Sequence, residues 1–214
     1  MANSKAHQRY NLADGRLVVG VTTALNLLAK PALVPWANKL GLQGVDVNKY
    51  VDDKAAIGSL AHLFVMSHFN NVKADVSDYS KNQIDLAENA LLSFFEWEKS
   101  RKIEPILTEA QLVSEKYEYG GTIDLYCKLD GIYTLIDFKT GKGIYSEMEI
   151  QLAAYKALLE ENGHEVEQAK ILRIGRDETE GFEEKSISKL DKQFELFWHC
   201  VAIYYLQNQI KKGM

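Results

Sequence analysis

The feature that most constrains the fold is a pair of apolar runs, residues 122–129 and 133–138, joined by Asp130-Gly131. Asp-Gly between two runs rich in β-branched and aromatic residues is a strong signal for a β-hairpin. The apolar residues of 147–162 then recur at helical spacing. A hairpin followed by an amphipathic helix predicts a sheet with a helix on its face, which is an α/β or α+β arrangement.

Helical patterns dominate the first hundred residues, and further strand patterns surround the hairpin. The other predicted elements are a hairpin at 9–19, helices at 22–28, 34–40, 53–69 and 82–100, strands at 106–117, 168–174 and 182–187, and a final helix after residue 188. The expected side-chain caps are Thr22, Asp52 or Asp53, and Ser188. We expect a single domain over residues 1–214, with 1–100 mainly helical and 101–214 holding the sheet-containing core.

Two carboxylates and a lysine stand on the two runs of the hairpin. Asp137 and Lys139 are two residues apart, so in a strand both side chains leave the same face. Asp124 lies on the preceding run, which can pair with this one. A carboxylate that follows the apolar residues 134–136 needs a partner, because burying it alone costs several kcal/mol. Lys139 alone would make a structural ion pair, whereas a magnesium ion, which takes one or two carboxylates, would also account for Asp124.

The order of these residues resembles the PD-(D/E)XK nuclease superfamily and, within it, the RecB-like and phage-type exonuclease branch. The matching motif is Gly121-Thr122-Ile123-Asp124, then Asp137-Phe138-Lys139-Thr140, then Gln151 and Tyr155. Upstream, the segments from Gly58 to His62 and from Val21 to Trp36 are similar to helical parts of the same branch. The resemblance covers residues 10–175. It implies a restriction-endonuclease-like mixed central sheet flanked by helices, with a helical N-terminal half.

The resemblance also implies a metal site. Asp124, Asp137, His62 and the backbone carbonyl of Phe138 would hold Mg²⁺ or Mn²⁺. Glu109 would bind a second metal or order a metal ligand from outside the coordination sphere, and an exposed strand glutamate is the alternative. His62, on a mostly apolar helix, would otherwise be an ordinary partly buried histidine. The side chain of Phe138 is expected to point to the opposite face, into the core.

The remaining site residues are assigned to the nucleophile and the substrate. Near a divalent cation the ammonium of Lys139 is disfavoured, which helps this residue to position the attacking water and to stabilise charge on the phosphate. The resemblance implies that Gln151 holds water or DNA and that Tyr155 contacts the DNA backbone or Lys139. Core packing with a satisfied hydroxyl is the alternative for Tyr155. Thr140 and Lys142 are expected at the substrate, with a solvated charge as the alternative for Lys142.

Charge and cysteine content limit the classes of protein that fit. The net charge of −5 counts against a generally basic nucleic-acid binder, so lysines would have to line one cleft. The two cysteines, Cys127 and Cys200, cannot supply the four thiolates of an iron–sulfur cluster, so that cofactor is excluded. They also lack CxxC spacing, which favours reduced, structural cysteines. No apolar run of ~18 residues and no signal-peptide pattern are present, so we expect a cytoplasmic protein of a bacterial cell or phage-infected host, without membrane contact.

Together these features predict a hydrolase, a metal-dependent deoxyribonuclease that is most simply an exonuclease in phage or bacterial recombination and repair. DNA is the expected partner, together with a single-strand annealing or recombination protein. One alternative is an endonuclease specific for nicked or branched structures, or for RNA, because the same catalytic core serves strand ends and interiors. The other is a non-catalytic DNA-binding protein that has kept the fold. Polarity, strand preference and oligomeric state are left open by the sequence.

Overall fold

The computed structural model describes residues 9–213, in which the chain forms seven strands and six helices. In chain order these are β1 (Tyr10–Asn11), β2 (Leu17–Gly20), α1 (Val21–Leu25), α2 (Leu33–Leu42), α3 (Val47–Asn70), α4 (Lys81–Glu98), β3 (Ile103–Ser114), β4 (Tyr119–Leu129), β5 (Ile132–Lys139), α5 (Ser146–Glu161), β6 (Gln168–Ile174), β7 (Phe182–Ile187) and α6 (Asp191–Lys211).

All seven strands belong to one mixed sheet. Its order is β1-β2-β4-β5-β6-β7, and β3 pairs with β4 on the other edge of that strand. The β2–β4 and β5–β6 pairs are parallel, and the remaining pairs are antiparallel. The predicted α/β fold with a mixed central sheet flanked by helices is therefore confirmed, and the architecture is consistent with a restriction-endonuclease-like fold.

Helices cover both faces of the sheet, and each face has its own apolar core. On one face α1, α5 and α6 pack around Tyr119 and Phe197. On the other face α3 and α4 pack around Phe94 and Phe138. The side chain of Phe138 thus lies in the core, as the sequence predicts. The central strands β4, β5 and β6 are largely buried on both sides, which explains why the runs at 122–129 and 133–138 are nearly continuous in apolar residues.

The central strand β4 has a gap in its pairing along one edge. Its beginning pairs with β2, at Tyr119 and Gly120, and its end pairs with β5, from Leu125 onward. Because β3 occupies the opposite edge, β2 and β5 must share the same edge of β4. Residues 121–124 lie between the two partners, and no strand formed by residues 9–213 lies beside them on that edge. The Gly-Thr-Ile-Asp segment therefore stands at an opening in the sheet.

The sequence predicts most elements well and several ends wrongly. The capping residue of α3 is Asp46, whose side chain accepts from the Lys49 N–H, so the helix starts before the predicted Asp52 or Asp53. Thr22 lies inside α1, which has no side-chain cap. The final helix begins at Asp191 after Leu190 and also has no side-chain cap, so the Ser188 prediction is wrong.

The first hundred residues are mainly helical, as predicted, but they also contribute β1 and β2 to the sheet. The predicted hairpin at 9–19 is these two strands. In it the Gly15 N–H donates to the carbonyl of Leu12, and Gly15 has a φ of 85°, which favours glycine. The assignment of residues 1–214 to a single domain stays a prediction.

Cys127 and Cys200 are both free and buried, and they lie in the cores on opposite faces of the sheet. Burial raises the pKa of the Cys127 thiol to about 12, so it is protonated at neutral pH. Over residues 9–213, no helix is both long and apolar enough to cross a lipid bilayer.

Candidate active site

Asp124 is the last residue of the β4 segment that is open on the edge shared by β2 and β5. Its side chain connects three elements. Its Oδ2 accepts a hydrogen bond from the backbone N–H of Phe138 on β5, at 2.8 Å. Its Oδ1 lies 3.3 Å from Nδ1 of His62 on α3. The β4–β5 ladder stops at Leu125 and Ile136, so the Asp124 carboxylate takes the backbone donor that the next ladder bond would otherwise have used. The side chain thereby holds the two strands apart at the opening.

The strand also changes its facing at Asp124. Ile123 packs in the core under α5, whereas Leu125 packs in the core under α3 and α4. Residues i and i+2 of a regular strand share a face, so the alternation is broken at this point. Glu109 lies opposite Asp124 on β3, between two paired positions, and has a φ of 46°. This left-handed backbone costs about 1–3 kcal/mol, and such strain is concentrated at functional sites.

Asp137 and Lys139 lie on the same face of β5 and form an ion pair. Asp137 is 1% exposed, and Lys139 is also largely buried. Lys139 Nζ contacts Asp137 Oδ2 directly, and among residues 9–213 this buried carboxylate oxygen has no partner besides that ammonium. A buried anion of this kind is poorly compensated by one ammonium.

The two carboxylates titrate differently because their surroundings differ. The pKa of Asp137 is raised to about 6, because burial disfavours the carboxylate, Lys139 offsets only part of this effect and the nearby Asp124 adds to it. Burial also acts to raise the pKa of Asp124, but His62, Lys139 and the Phe138 N–H outweigh it and bring the pKa below its usual value. Burial disfavours the imidazolium of His62, yet the Asp124 anion raises the pKa of His62 overall. The group therefore contains one firmly ionised carboxylate and one that holds its proton more readily.

Tyr155 and Gln151 stand on α5 one turn apart. The Gln151 amide donates to the Tyr155 hydroxyl at 2.8 Å. Burial, followed by the anionic Asp137 and Asp124, raises the pKa of Tyr155 well above its usual value, so the phenol stays protonated. The ring lies against Gly121, where an added Cβ would be 2.7 Å from Tyr155 Cε1. Gly121 thus permits the close approach of α5 to the sheet.

Helix α3 makes a similar approach on the other side of the site. A Cβ on Gly58 would be 3.0 Å from Thr140 Oγ1, just after the end of β5. Gly58 therefore allows the close packing against the sheet that its position before His62 predicts. The side chain of Tyr10 packs directly against the beginning of β4. A Cβ on Gly120 would be 2.3 Å from the Cβ of Tyr10. Both glycines of the Gly-Gly-Thr segment are therefore needed because side chains of this protein occupy the space that a Cβ would take.

A cavity of about 520 Å³ opens above this group. Of the residues predicted for the site, it is lined by His62, Glu109, Asp124, Thr140 and Tyr155. Asp137, Lys139 and Gln151 adjoin these residues without lining the cavity, and Lys142 is exposed in the turn before α5. The structure thus brings the predicted residues other than Lys142 to one place.

The cavity also has walls that the sequence analysis did not assign to the site. They are Tyr10, Gly20, Val21, Thr22, Thr23, Lys54, Ala55, Gly58, Ser59, Gly121 and Thr122. Among residues 9–213, Lys54 is the one lysine or arginine in this lining. Its position was detectable, because Lys54, Gly58 and His62 are each four residues apart on α3 and so share a helix face. Tyr10 gave no such signal, since its place depends on the pairing of β1 with β2.

The donor set suits a hard divalent cation, although its atoms are engaged with one another. Within residues 9–213, no three His, Cys, Asp or Glu side chains are arranged as a ready metal cluster. Asp124 contacts His62 and the Phe138 N–H, and Asp137 contacts Lys139. The burial of Asp137 near Asp124 is the observation that fits a cation, because two neighbouring carboxylates with Lys139 as the partner of one of them favour further positive charge.

Comparison with known proteins gives a likeness in fold. No family model and no curated protein sequence matches the chain. The structure is similar to that of a candidate exonuclease from Eubacterium rectale, with a TM-score of 0.50 and 17% identity over 73% of this chain and 68% of that one. An alkaline exonuclease from Laribacter hongkongensis is matched with a TM-score of 0.37 and 12% identity over 72% of this chain and 84% of that one.

Proposed function

We propose that this chain is a divalent-metal-dependent nuclease of the PD-(D/E)XK type that hydrolyses DNA phosphodiester bonds, and that it acts as an exonuclease. The proposal includes its cellular setting, which is recombination or repair in the cytoplasm of a bacterium or a phage-infected host. The fold shared with the Eubacterium rectale structure supports a nuclease at the level of architecture. The chemistry rests on the residues of the site.

The observation that carries the proposal is the environment of Asp137. A carboxylate that is 1% exposed, stands near Asp124 and is compensated by one ammonium is unfavourable in a purely structural role. Lys139 is present, so an ion pair alone is the competing explanation. It accounts for neither the proximity of Asp124 nor the gap in β4 that exposes it to the cavity.

In this proposal Asp124, Asp137, His62 and the Phe138 carbonyl hold Mg²⁺ or Mn²⁺. The bound ion would supply a Lewis acid for the scissile phosphate and a water of lowered pKa. Carboxylates provide the charge that a hard cation requires, and an imidazole makes the site more favourable to manganese than a set of oxygen ligands would be. Glu109 borders the same cavity and is the residue available for a second ion.

The other residues act on the water and the substrate. Lys139, held by Asp137, positions the nucleophile and offsets the negative charge that develops on the phosphate. Tyr155 stays protonated and is fixed by Gln151, so it can donate to a phosphate oxygen or a water. Lys54 supplies positive charge at the cavity wall, which is where an acidic chain needs it to meet DNA. Thr140 and Lys142 would contact the strand next to the scissile bond.

The size of the cavity favours strand ends over interiors. A volume of about 520 Å³ is within the range of sites that bind a small ligand. A terminal nucleotide fits such a volume, whereas an uninterrupted duplex would require a groove open at both ends. This argument is the reason for preferring an exonuclease to a structure-specific endonuclease on the same site.

The test is digestion of linear and covalently closed circular duplex DNA by purified protein with manganese. Mononucleotide release from linear DNA, no cut in circular DNA and no reaction with EDTA are expected. Cleavage of circular or branched DNA would establish the endonuclease instead. Binding of DNA without cleavage under any metal would establish a non-catalytic DNA-binding protein. A single-strand annealing protein is the partner to test by co-purification.

A further inference from the structure

Trp36 lies on α2, a helix without a buried residue. The indole is 37% exposed, although a side chain of this size usually buries a large apolar area. Its ring contacts Tyr50 on α3, with 6.0 Å between the ring centroids and 61° between the ring planes. Such an edge-to-face contact covers at most one face of the indole. Trp36 is therefore held against α3 while part of its apolar surface is open to solvent.

Two contacts tie the segment around α2 to two helices that flank the cavity of the candidate site. Before α2, Lys30 forms an ion pair at 3.3 Å with Glu147 in the first turn of α5. On α2 itself, Trp36 packs against Tyr50 of α3. Helices α5 and α3 both contribute residues to the cavity lining. The segment from Lys30 to Trp36 therefore runs from one wall of the cavity to the other.

Tyr50 connects Trp36 with the charged part of the cavity wall. Lys54 follows Tyr50 by four residues on α3, so the two side chains are neighbours on the helix surface. The Lys54 ammonium lies 5.4 Å from the centroid of the Tyr50 ring. Lys54 lines the cavity, whereas Tyr50 and Trp36 lie outside the lining. These three side chains form a continuous path from the cavity to the surface, here named the Trp36 path.

The surroundings of the Trp36 path carry no excess of positive charge. From Trp36 to Lys54 the chain has three lysines and three aspartates, which are Lys39, Lys49, Lys54, Asp46, Asp52 and Asp53. Asp53 lies 3.4 Å from the Lys54 ammonium. On the α4 side of α3, the turn at residues 175–181 contacts the Lys54 carbonyl through Arg176 and adds three acidic side chains. Attraction to phosphates is therefore weak here, and an occupant must be held by the open aromatic surface.

We propose that the Trp36 path binds unpaired nucleotides of the DNA strand whose end occupies the cavity, with one base stacked on the Trp36 indole. This inference rests on the proposed function, which places a terminal nucleotide in the cavity. A cavity of about 520 Å³ that holds this nucleotide leaves the rest of the strand outside, beside the segment that joins the two walls. Bases stack on aromatic side chains with little sequence preference, and a neutral base does not require the positive charge that the path lacks. A base within a duplex is already stacked on both sides, so the strand must be single-stranded at Trp36.

The first test is tryptophan fluorescence of the whole chain carrying Trp198→Phe, titrated with a thymidine oligonucleotide in EDTA. The chain has three tryptophans and Trp97 is fully buried, so Trp36 is the exposed indole of this variant. The oligonucleotide should quench its emission in proportion to the bound fraction measured by anisotropy, because stacking brings a base against the indole. A blunt DNA hairpin should quench it less. No quenching by bound single strand, or equal quenching by the hairpin, would overturn the inference.

The second test compares two tryptophans of similar exposure. Trp36→Leu should weaken single-strand binding by about tenfold or more, the factor that one stacked base contributes, and should leave the salt dependence unchanged. Trp36→Phe keeps a ring and should retain most of the affinity. Trp198→Leu is the matched control, because Trp198 on α6 is 38% exposed and lies outside the cavity lining. Wild-type affinity in Trp36→Leu, or an equal loss in Trp198→Leu, would overturn the inference.

These measurements are separable from the proposed nuclease activity because EDTA removes the metal. Cleavage of linear DNA in manganese, with neither quenching nor a loss of affinity at Trp36, would overturn this inference and leave the nuclease proposal intact. Quenching and a loss of affinity at Trp36, with no cleavage under any metal, would support the Trp36 path and overturn the nuclease proposal.

Discussion

At the scale of single residues, the candidate site contains two groups in energetically unfavourable environments. Burial disfavours the ionised form of Asp137, and Glu109 has a backbone conformation that non-glycine residues rarely adopt. Each feature costs free energy of folding, and neither is needed for the packing of the two cores. Their adjacency to Asp124 indicates that the cost is retained for function.

The burial of Asp137 predicts a pH dependence of stability in metal-free protein. Its pKa is about 6 when folded, against an ordinary value of 3.8, so the folded state holds a proton that the unfolded state has released. This contribution makes the wild type less stable as pH rises from about 4 through about 6. Asp137→Asn lacks it. The stability of the variant relative to wild type should therefore increase over this range by up to about 3 kcal/mol.

Urea unfolding in EDTA at several pH values measures this difference. Asp52→Asn, which changes an exposed carboxylate on α3, is the control and should follow the wild type. Parallel curves for Asp137→Asn and wild type would show that Asp137 titrates normally in the folded state. In that case the argument for a cation at this residue would lose its main support.

Lys139 predicts a separation of chemistry from binding. Lys139→Ala should slow the single-turnover cleavage step by about 100-fold or more, since general acid–base and charge-stabilising groups contribute about that much. DNA binding should change little, because the interaction is made mainly in the transition state. Arginine should not restore the rate, as its planar fork cannot occupy the place of a compact ammonium.

The measurement for Lys139 is single-turnover cleavage together with a DNA-binding isotherm for the wild type and both variants. A loss of binding in proportion to the rate would make Lys139 a phosphate anchor. Full cleavage by Lys139→Ala would remove the residue from the mechanism.

At the scale of elements, the sequence predicted the helices and hairpins whose formation depends on neighbouring residues. Asp130-Gly131 gives the β4–β5 hairpin, and the helical spacing over 147–162 gives α5 to within a residue or two. The beginning of β4 at Tyr119 was missed because Gly120 and Gly121 weaken a strand pattern. These glycines are in the strand because the rings of Tyr10 and Tyr155 need their space, which is a tertiary requirement.

The sequence predicted which residues form the candidate site, but it did not predict the arrangement of strands around them. Strand parity brings Asp137 and Lys139 to one face, as the structure shows. The change of facing at Asp124 and the gap between β2 and β5 depend on pairings between distant segments, to which no local pattern is sensitive. Lys54 could have been found from its spacing to Gly58 and His62 on α3.

The contact between α5 and the sheet can be tested at Gly121. Gly121→Ala puts a methyl group 2.7 Å from the Tyr155 ring, so the ring must move and with it the end of the Gln151 hydrogen bond. Overpacking of this kind should destabilise the protein by about 1–3 kcal/mol. Tyr155→Ala removes the obstacle, so the double variant should be more stable than the sum of the two single changes predicts. A double-mutant cycle by urea unfolding measures this coupling, and additive effects would contradict the packing described here.

At the scale of the whole molecule, the proposed function requires an acidic chain to bind DNA through few positive charges. The net charge is −5, and in the part of the chain that the structure describes Lys54 is the one lysine or arginine lining the cavity. Each phosphate neutralised contributes about 0.9 to the slope of log affinity against log salt for duplex DNA. We therefore expect a shallow salt dependence, with a slope no steeper than about −3.

Lys54→Gln should reduce the magnitude of that slope by about 0.9, the contribution of one phosphate contact, and should weaken binding at low salt. Lys73→Gln, in the exposed segment between α3 and α4, is the matched control and should leave the slope unchanged. Fluorescence anisotropy with a labelled strand in EDTA measures both. A steep slope unaffected by Lys54→Gln would mean that DNA binds elsewhere on the molecule.

The central claim is that Asp124 helps to hold a metal ion that hydrolyses DNA, and one rate tests it most directly. Asn at position 124 can still accept the Phe138 N–H through its amide oxygen, so the fold should survive while the charge for a hard cation is lost. The measurement is the single-turnover release of nucleotides from linear duplex DNA in manganese, for wild type, Asp124→Asn and the Asp52→Asn control. The account predicts a loss of about a thousandfold or more for Asp124→Asn, equivalent to roughly 4 kcal/mol of transition-state stabilisation, and no loss for the control. A correctly folded Asp124→Asn protein that cleaves at the wild-type rate would contradict it.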